Sequence, residues 1–174
     1  MLADKGRRLN RLKGYDYSKT GYYFVTICTK SKIEHFGKVE KDSMILSRYG
    51  KIAKECWKNI PTHYKNVKID DFIIMPNHIH GIIIVEGDNV GTEQCSVPTN
   101  TKNYNLLSKA IKSFKNTVTK VIRSGYEDDR FGWQRSFYDH IIRDEISLLK
   151  IREYINVNPL KWNLDKNKIE NLSI

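Results

Sequence analysis

The stretch VKIDDFIIMPNHIHGIIIVE, residues 67–86, decides how this chain folds. It contains two apolar runs, 67–75 and 80–86, that are short and rich in β-branched residues, which predicts two strands. Both runs are almost continuously apolar, so we expect central strands that are covered on both faces.

Two histidines stand at the start of the second strand, on either side of Ile79. Side chains alternate along a strand, so His78 and His80 share one face while Ile79 turns toward the core. Their Cα atoms are expected roughly 6.5 Å apart. Two imidazoles at that spacing can converge on one divalent ion; the alternative is a pair of unrelated surface histidines.

The segment EYINVNP, residues 153–159, offers partners for such a site. Tyr154 and Asn158 are four residues apart and therefore lie on one helix face. The carboxamide of Asn158 can complete a site that suits Mn²⁺ or Mg²⁺, and such an ion polarises a phosphoryl oxygen. Tyr154 is then a candidate covalent nucleophile. Alternatively, Tyr154 is a half-buried helix tyrosine and Asn158 a C-terminal cap before Pro159.

The flanking sequence predicts the remaining elements. Residues 22–29, 36–40, 43–46 and 137–142 read as strands, with a turn at Lys41-Asp42. Apolar stripes at helical spacing predict a helix capped by Ser47, a second over about 105–123, and a third that begins after Asp144 and is bounded by Pro159. Residues 87–104 read as a long loop. The order predicts an α+β fold, with an antiparallel sheet and helices mainly on one face.

The net charge of +10, from 30 basic and 20 acidic residues, predicts attraction to a polyanion. Two basic groups are candidate DNA contacts, an interpretation we favour over the alternative of a solvated surface. The N-terminal group is Arg7, Arg8, Arg11 and Lys13, and the helical group is Lys109, Lys112 and Lys115. No Walker-type loop is present, so no nucleotide cofactor is expected.

The length of 174 residues suits one domain. We expect a basic arm over 1–20, the functional domain over 21–162 and a polar tail over 163–174. No apolar run is long enough to span a bilayer, and the N-terminus lacks the apolar stretch of a signal peptide. Cys28, Cys56 and Cys95 are widely spaced, which argues against a disulfide framework and favours a reducing cytoplasm.

Several motifs in order resemble a known family. IIMPNHIHGIIIV is similar to the HUH motif of single-tyrosine transposases of the IS200 type, and WQRSFYDHIIRDE and YINVNP resemble the REP-associated tyrosine transposases in particular. The likeness runs from Tyr22 to Trp162. It implies a ferredoxin-like or RRM-like sheet (the HUH endonuclease fold), cleavage of single-stranded DNA beside a hairpin, and a 5′-phosphotyrosine intermediate.

By this resemblance His78 and His80 hold the metal and Tyr154 is the nucleophile. Asn158 stands where the insertion-sequence relatives have glutamine. Within the subgroup pattern W-Q-x-x-F-x-x-H-x-x-R, the residues are Trp133, His140 and Arg143. The resemblance suggests packing or base stacking for Trp133 and phosphate contact for Arg143.

Tyr138 is the rival nucleophile. It shares a strand face with His140, and the sequence indicates no metal-like partner on that face. Two other functions also remain open: an RRM-like binding module without catalysis, and a metal-dependent phosphodiesterase that uses water. Single-stranded or hairpin DNA is the expected partner, and the protein is either a monomer or a homodimer.

Overall fold

A computed structural model describes residues 20–86 and 106–165. Residues 1–19 of the predicted arm, the loop 87–104 and residues 166–174 of the tail lie outside these ranges. Within them the elements are β1 (Gly21–Cys28), a 3-10 turn (Lys30–Lys32), β2 (Gly37–Glu40), β3 (Ser43–Leu46), α1 (Arg48–Lys58), α2 (Ile60–His63), β4 (Val67–Ile74), β5 (His78–Val85), α3 (Leu106–Tyr126), β6 (Tyr138–Ile142) and α4 (Glu145–Asp165).

Four strands form one antiparallel sheet in the order β4-β5-β1-β6. In this register Thr26 of β1 lies opposite both His80 of β5 and Tyr138 of β6. Directly opposed residues project to the same side of a sheet. Thr26, His80 and Tyr138 therefore form one row across a single face.

The predicted hairpin is confirmed as a separate two-stranded sheet of β2 and β3. Lys41 and Asp42 at its turn have φ values of 47° and 57°. Positive φ at both central residues is the type I′ turn, whose twist matches that of the flanking strands.

The two faces of the main sheet are covered by different helices. On the first face, apolar residues of β1 and β5 pack against Trp57 of α1 and Phe114 of α3. On the second face, Phe24, Ile82 and Ile142 pack against α4 through Ile151 and Ile155. The predicted α+β fold with an antiparallel sheet is confirmed. Helices α1 and α3 lie on the first face, and α4 covers the face that carries the two histidines.

Gly81 lets β5 rest directly on α1. A Cβ atom at Gly81 would lie 2.5 Å from Cζ2 of Trp57 and 3.1 Å from Cβ of Phe72. Trp57 is fully buried and touches Phe114 edge to face. The indole therefore supports the strand immediately beside His80, on the opposite side of the sheet.

The predicted caps are confirmed. Ser47 Oγ accepts from the Gly50 N–H at 3.1 Å at the start of α1, and Asp144 Oδ1 accepts from the Ser147 N–H at 2.8 Å at the start of α4. Among the described parts of the chain, none of the helices combines the length and apolar character of a membrane span.

The predicted end of the last helix at Pro159 is wrong, because α4 continues to Asp165 with Pro159 inside it. A proline inside a helix lacks an N–H and crowds the carbonyl four residues earlier, here that of Ile155. Pro159 and Trp162 are nevertheless buried, and tertiary packing outweighs such local preferences. Asn158 is therefore a helix-interior residue and not a C-terminal cap.

Candidate metal and tyrosine site

The two histidines converge beneath α4. His78 and His80 are 2% and 1% exposed, while Ile79 between them lies in the core of the opposite face. The two Nε2 atoms are 3.0 Å apart. These are not unrelated surface histidines, because strand alternation and burial bring them together within the protein.

Each ring is held through its other nitrogen. Asn77 Nδ2 donates to the Lys32 carbonyl at 3.2 Å, so Oδ1 is the Asn77 atom that accepts from His78 Nδ1–H at 2.7 Å. This leaves His78 Nε2 with a free lone pair. Thr26 Oγ1 lies 2.9 Å from His80 Nδ1, and a hydroxyl can donate or accept, so it serves either tautomer of His80.

Both imidazoles are uncharged at neutral pH. Burial, assisted by the charge of Lys32, lowers the pKa of His78 to about 3. Burial, followed by the neighbouring His78, holds the pKa of His80 well below its usual value. The neutral ring is the form that binds a metal ion.

The donor set fits a divalent ion. Two nitrogens bound to one ion at about 2.1 Å each stand roughly 3.0–3.4 Å apart for angles between about 90° and 109°. The 3.0 Å between the Nε2 atoms falls in this range. Residues 20–86 and 106–165 contain no cluster of three His, Cys, Asp or Glu side chains suited to a metal. Further ligands would have to be amide, water or DNA oxygens.

Tyr154 reaches the same pair of nitrogens from α4. Its hydroxyl lies 3.4 Å from His80 Nε2, and the two rings meet edge to face with centroids 5.3 Å apart. Phe24 stacks on His80 at 5.3 Å and meets Tyr154 edge to face at 6.1 Å. The phenol oxygen of Tyr154 therefore lies beside the pair of imidazole nitrogens.

Two side-chain contacts with β4 hold α4 across the sheet. Arg152 donates to both carboxylate oxygens of Asp70, at 3.2 and 2.6 Å, and Asn156 Nδ2 lies 3.4 Å from Asp71 Oδ2. Asp70 and Asp71 occupy the irregularity of β4 where its register to β5 shifts. Only residues 143 and 144 separate β6 from α4. Tyr154 thus approaches the histidines of its own chain.

Asn158 lies between two contacts that α4 makes with the histidines. One turn before it, Tyr154 touches His80, and one turn after it, Trp162 lies 5.8 Å from the ring of His78. Asn158 is 7% exposed. Residues four apart share a helix face, so the carboxamide is on the face that α4 turns toward the pair.

In the W-Q-x-x-F-x-x-H-x-x-R motif around β6, the tryptophan packs against the hydrophobic core, whereas the histidine and the arginine are exposed. Trp133 donates from Nε1 to the Lys115 carbonyl at 3.1 Å and contacts Phe36, Phe114 and Phe131. Of its two predicted roles, packing fits this position. Tyr138, His140 and Arg143 are exposed.

The prediction that no metal-like partner shares the face of Tyr138 and His140 is wrong. Tyr138 lies opposite Thr26 and His140 opposite Phe24, and these β1 residues contact His80. Tyr138 is therefore on the histidine face but two strands away, because β1 lies between β5 and β6. The sequence does not show this strand order, which is why the prediction failed.

The basic residues of α3 lie on the opposite side of the sheet from the histidines. Lys109 and Lys112 are exposed and line a shallow groove with Tyr64 and Asn116. Lys115 differs, because its ammonium donates to the Gln134 carbonyl at 2.6 Å. Burial lowers the pKa of Lys115 to about 8. The predicted contacts at Arg7, Arg8, Arg11 and Lys13 lie outside the described residues.

Sequence reasoning missed the residues that orient the histidines. Thr26 is a polar residue between Val25 and Ile27 in an apolar strand, and Asn77 directly precedes His78. A polar residue at an inward position of a strand is a usable signal. Its partner depends on the strand order, which the sequence does not give.

Comparison with known proteins shows which of them share the α+β fold described above. No family model matches the chain. An uncharacterised protein of Haemophilus influenzae is 42% identical over 168 residues, which cover 92% of both chains. A second protein of that organism, provisionally assigned as a REP-associated tyrosine transposase, is 26% identical over 84% of this chain and 74% of its own. A solved REP-associated tyrosine transposase bound to a REP hairpin has a TM-score of 0.55 and 18% identity, over 87% of this chain and 73% of its own.

The antiparallel sheet crossed by α4 has the fold of the solved REP-associated tyrosine transposase. The chain belongs to the family of the Haemophilus protein to which it is 42% identical over 168 residues. The resemblance to the REP-associated tyrosine transposases is confirmed.

Proposed function

We propose that this protein is a metal-dependent enzyme that nicks and rejoins single-stranded DNA through a covalent tyrosine intermediate. The observation that carries the proposal is the 3.4 Å between the Tyr154 hydroxyl and His80 Nε2, in a site where His80 Nε2 also lies 3.0 Å from His78 Nε2. The candidate nucleophile and the two candidate metal-binding nitrogens therefore lie side by side in a single chain.

His78 and His80 would hold Mg²⁺ or Mn²⁺, with Asn158 as a further oxygen ligand. Such an ion, when bound, polarises a phosphoryl oxygen and stabilises a nearby phenolate. A phenol has a reference pKa of about 10, so Tyr154 needs this help at neutral pH.

In the proposed covalent step, a phosphodiester between DNA and Tyr154 replaces a phosphodiester within the DNA. The Tyr154 oxygen, having lost its proton to solvent, forms a bond to phosphorus while the bond to the 3′ oxygen of the preceding nucleotide breaks. That oxygen leaves and takes a proton, which gives a free 3′ hydroxyl and a 5′-phosphotyrosine. One phosphodiester replaces another, so attack by a 3′ hydroxyl reverses the step and rejoins strands without an energy source.

Hairpin-forming single-stranded DNA is the proposed substrate. The solved relative is bound to a REP hairpin, and the net charge of +10 favours a polyanion. Because α4 docks on its own sheet through Arg152 and Asp70, we propose that Tyr154 acts in cis and that a monomer suffices for cleavage.

A denaturing gel tests the proposal. The protein is incubated with Mn²⁺ and 3′-end-labelled single strands that carry hairpins from the DNA flanking its gene, because the 3′ fragment is the one that would stay on the tyrosine. A protein–DNA adduct that persists in detergent supports the proposal. Cleavage without an adduct indicates a hydrolase that uses water, and binding without cleavage indicates a binding module; either result overturns it.

A further inference from the structure

The exposed half of β6 carries two aromatic rings with no assigned role. Tyr138 is 40% exposed and His140 is also exposed. Within the described residues neither side chain makes a hydrogen bond, ion pair or ring contact. Farther along the same strand face, Ile142 is buried under α4. The helix thus covers one end of this strand and leaves the other open.

This open end is continuous with the candidate site. Tyr138, Thr26 and His80 form one cross-strand row, and His140 lies opposite Phe24, which stacks on His80. Two strand spacings separate the backbones of Tyr138 and His80, about 10 Å in all. A base beside a phosphate held at His80 can reach this distance.

The charges around the strand suit a nucleic acid. Arg135 and Arg143, which precede and follow β6 in the sequence, are exposed. Asp139, the acidic residue of β6, alternates to the opposite face of the sheet. Aromatic side chains on an open sheet face, flanked by cations, are a general means of stacking unpaired bases.

We infer that Tyr138 and His140 form a nucleobase-binding surface for the unpaired nucleotides next to the scissile phosphate. This inference rests on the proposed function for its substrate but needs no cleavage. The occupant is single-stranded DNA, because bases paired in a duplex present no free faces to the sheet. Tyr138 is then a binding residue and not the nucleophile.

The affinity test uses a fluorescein-labelled 20-nucleotide oligo(dT), measured by anisotropy without metal so that no strand is cut. Stacking on an aromatic side chain typically contributes a factor of about 5 to 150 in affinity. We expect Tyr138→Ala to weaken binding by such a factor and Tyr138→Phe, which keeps the ring, to bind like the wild type. The matched control is Tyr126→Ala, since Tyr126 is 39% exposed but contacts Arg48 and Tyr49 away from this face.

The location test uses the same strand with 5-iododeoxyuridine in place of thymidine. Light crosslinks this base to an aromatic side chain stacked on it, and trypsin releases residues 136–143 as one peptide. We expect the crosslink on Tyr138 or His140. Crosslinks that occur only elsewhere, or equal affinity of Tyr138→Ala and Tyr126→Ala, overturn the inference. An adduct-negative protein that still shows this crosslink refutes the proposed function alone.

Discussion

At the residue scale, the proposed function requires that Tyr154, and not Tyr138, attacks the scissile phosphate. Tyr154 lies 3.4 Å from His80 Nε2, whereas Tyr138 is two strands away on the edge of the sheet. Tyr154→Phe removes one oxygen and keeps the ring that packs on Phe24. We expect it to abolish the covalent adduct and to change DNA affinity by less than about twofold, since phosphate contacts dominate affinity.

The matched variant is Tyr138→Phe, which we expect to retain the adduct. The measurement is the yield of detergent-resistant protein–DNA complex at fixed Mn²⁺. An adduct that survives Tyr154→Phe and disappears in Tyr138→Phe would move the nucleophile to β6.

Thr26 is expected to act on the metal through His80. Its hydroxyl lies 2.9 Å from His80 Nδ1 and is almost fully buried. Thr26→Val keeps the shape and removes the partner that orients the ring, so Mn²⁺ affinity measured by calorimetry should fall about 10- to 100-fold.

The control for Thr26→Val is Thr119→Val, because Thr119 donates to the Lys115 carbonyl on α3 and is remote from the histidines. It should leave Mn²⁺ binding unchanged. Equal affinity of the two variants would mean that Thr26 does not position the ligand.

At the element scale, α4 is the part of the fold that makes the site, and Arg152 holds it. The guanidinium donates twice to Asp70, whose side chain is 13% exposed. A double-mutant cycle of Arg152→Met and Asp70→Asn should give a coupling of about 1 kcal/mol in the free energy of unfolding. Each single variant should also slow adduct formation, because Tyr154 lies on the same helix.

The comparison pair for this cycle is Lys68 and Glu86, whose side chains are 62% and 42% exposed. Exposed pairs are screened by water and salt, so their coupling should be close to zero. If the Arg152–Asp70 coupling were equally small, the ion pair would not be what holds α4 in place.

The same helix marks where sequence reasoning succeeds and where it stops. Nearly continuous apolar runs predicted β4 and β5, and an apolar stripe at helical spacing predicted α3. The spacing of Tyr154 and Asn158 predicted their shared face. All of these are local properties of the sequence. The prediction that the helix ends at Pro159 failed, because the burial that keeps the helix intact is a tertiary effect and not a local one. Strand order is equally non-local, so the row that joins His80, Thr26 and Tyr138 could not be read from the sequence.

At the scale of the whole molecule, His35 makes stability depend on pH. Its Nε2 is buried without a hydrogen-bond partner among the described residues, and its ring meets Phe131 at 5.1 Å. Burial lowers the pKa of His35, Asp128 opposes this, and Arg130 adds to it. The unfolded chain therefore binds the proton more readily, and stability is lost as pH falls below about 6.5.

His35→Phe keeps the aromatic packing and removes the titrating group. Urea unfolding at pH 7.5, 6.5 and 5.5 should show a smaller loss of stability on acidification in the variant than in the wild type. The difference must stay below about 1.4 kcal/mol per pH unit, the limit for one proton. Identical pH profiles would show that the His35 ring is protonated equally in both states.

The position of the basic residues predicts which of them meet DNA. Lys109 and Lys112 are exposed along one groove of α3, whereas the ammonium of Lys115 is bound to the Gln134 carbonyl. Removing one lysine–phosphate interaction should lower the slope of log affinity against log salt by about 0.7 for a single strand and 0.9 for a duplex. We therefore expect the double variant Lys109→Ala, Lys112→Ala to show a weaker salt dependence of hairpin binding. Lys115→Ala should lower stability and leave the slope unchanged. Should Lys115→Ala flatten the slope while the double variant does not, the phosphates would run along the segment 134–136 and not along the groove of α3.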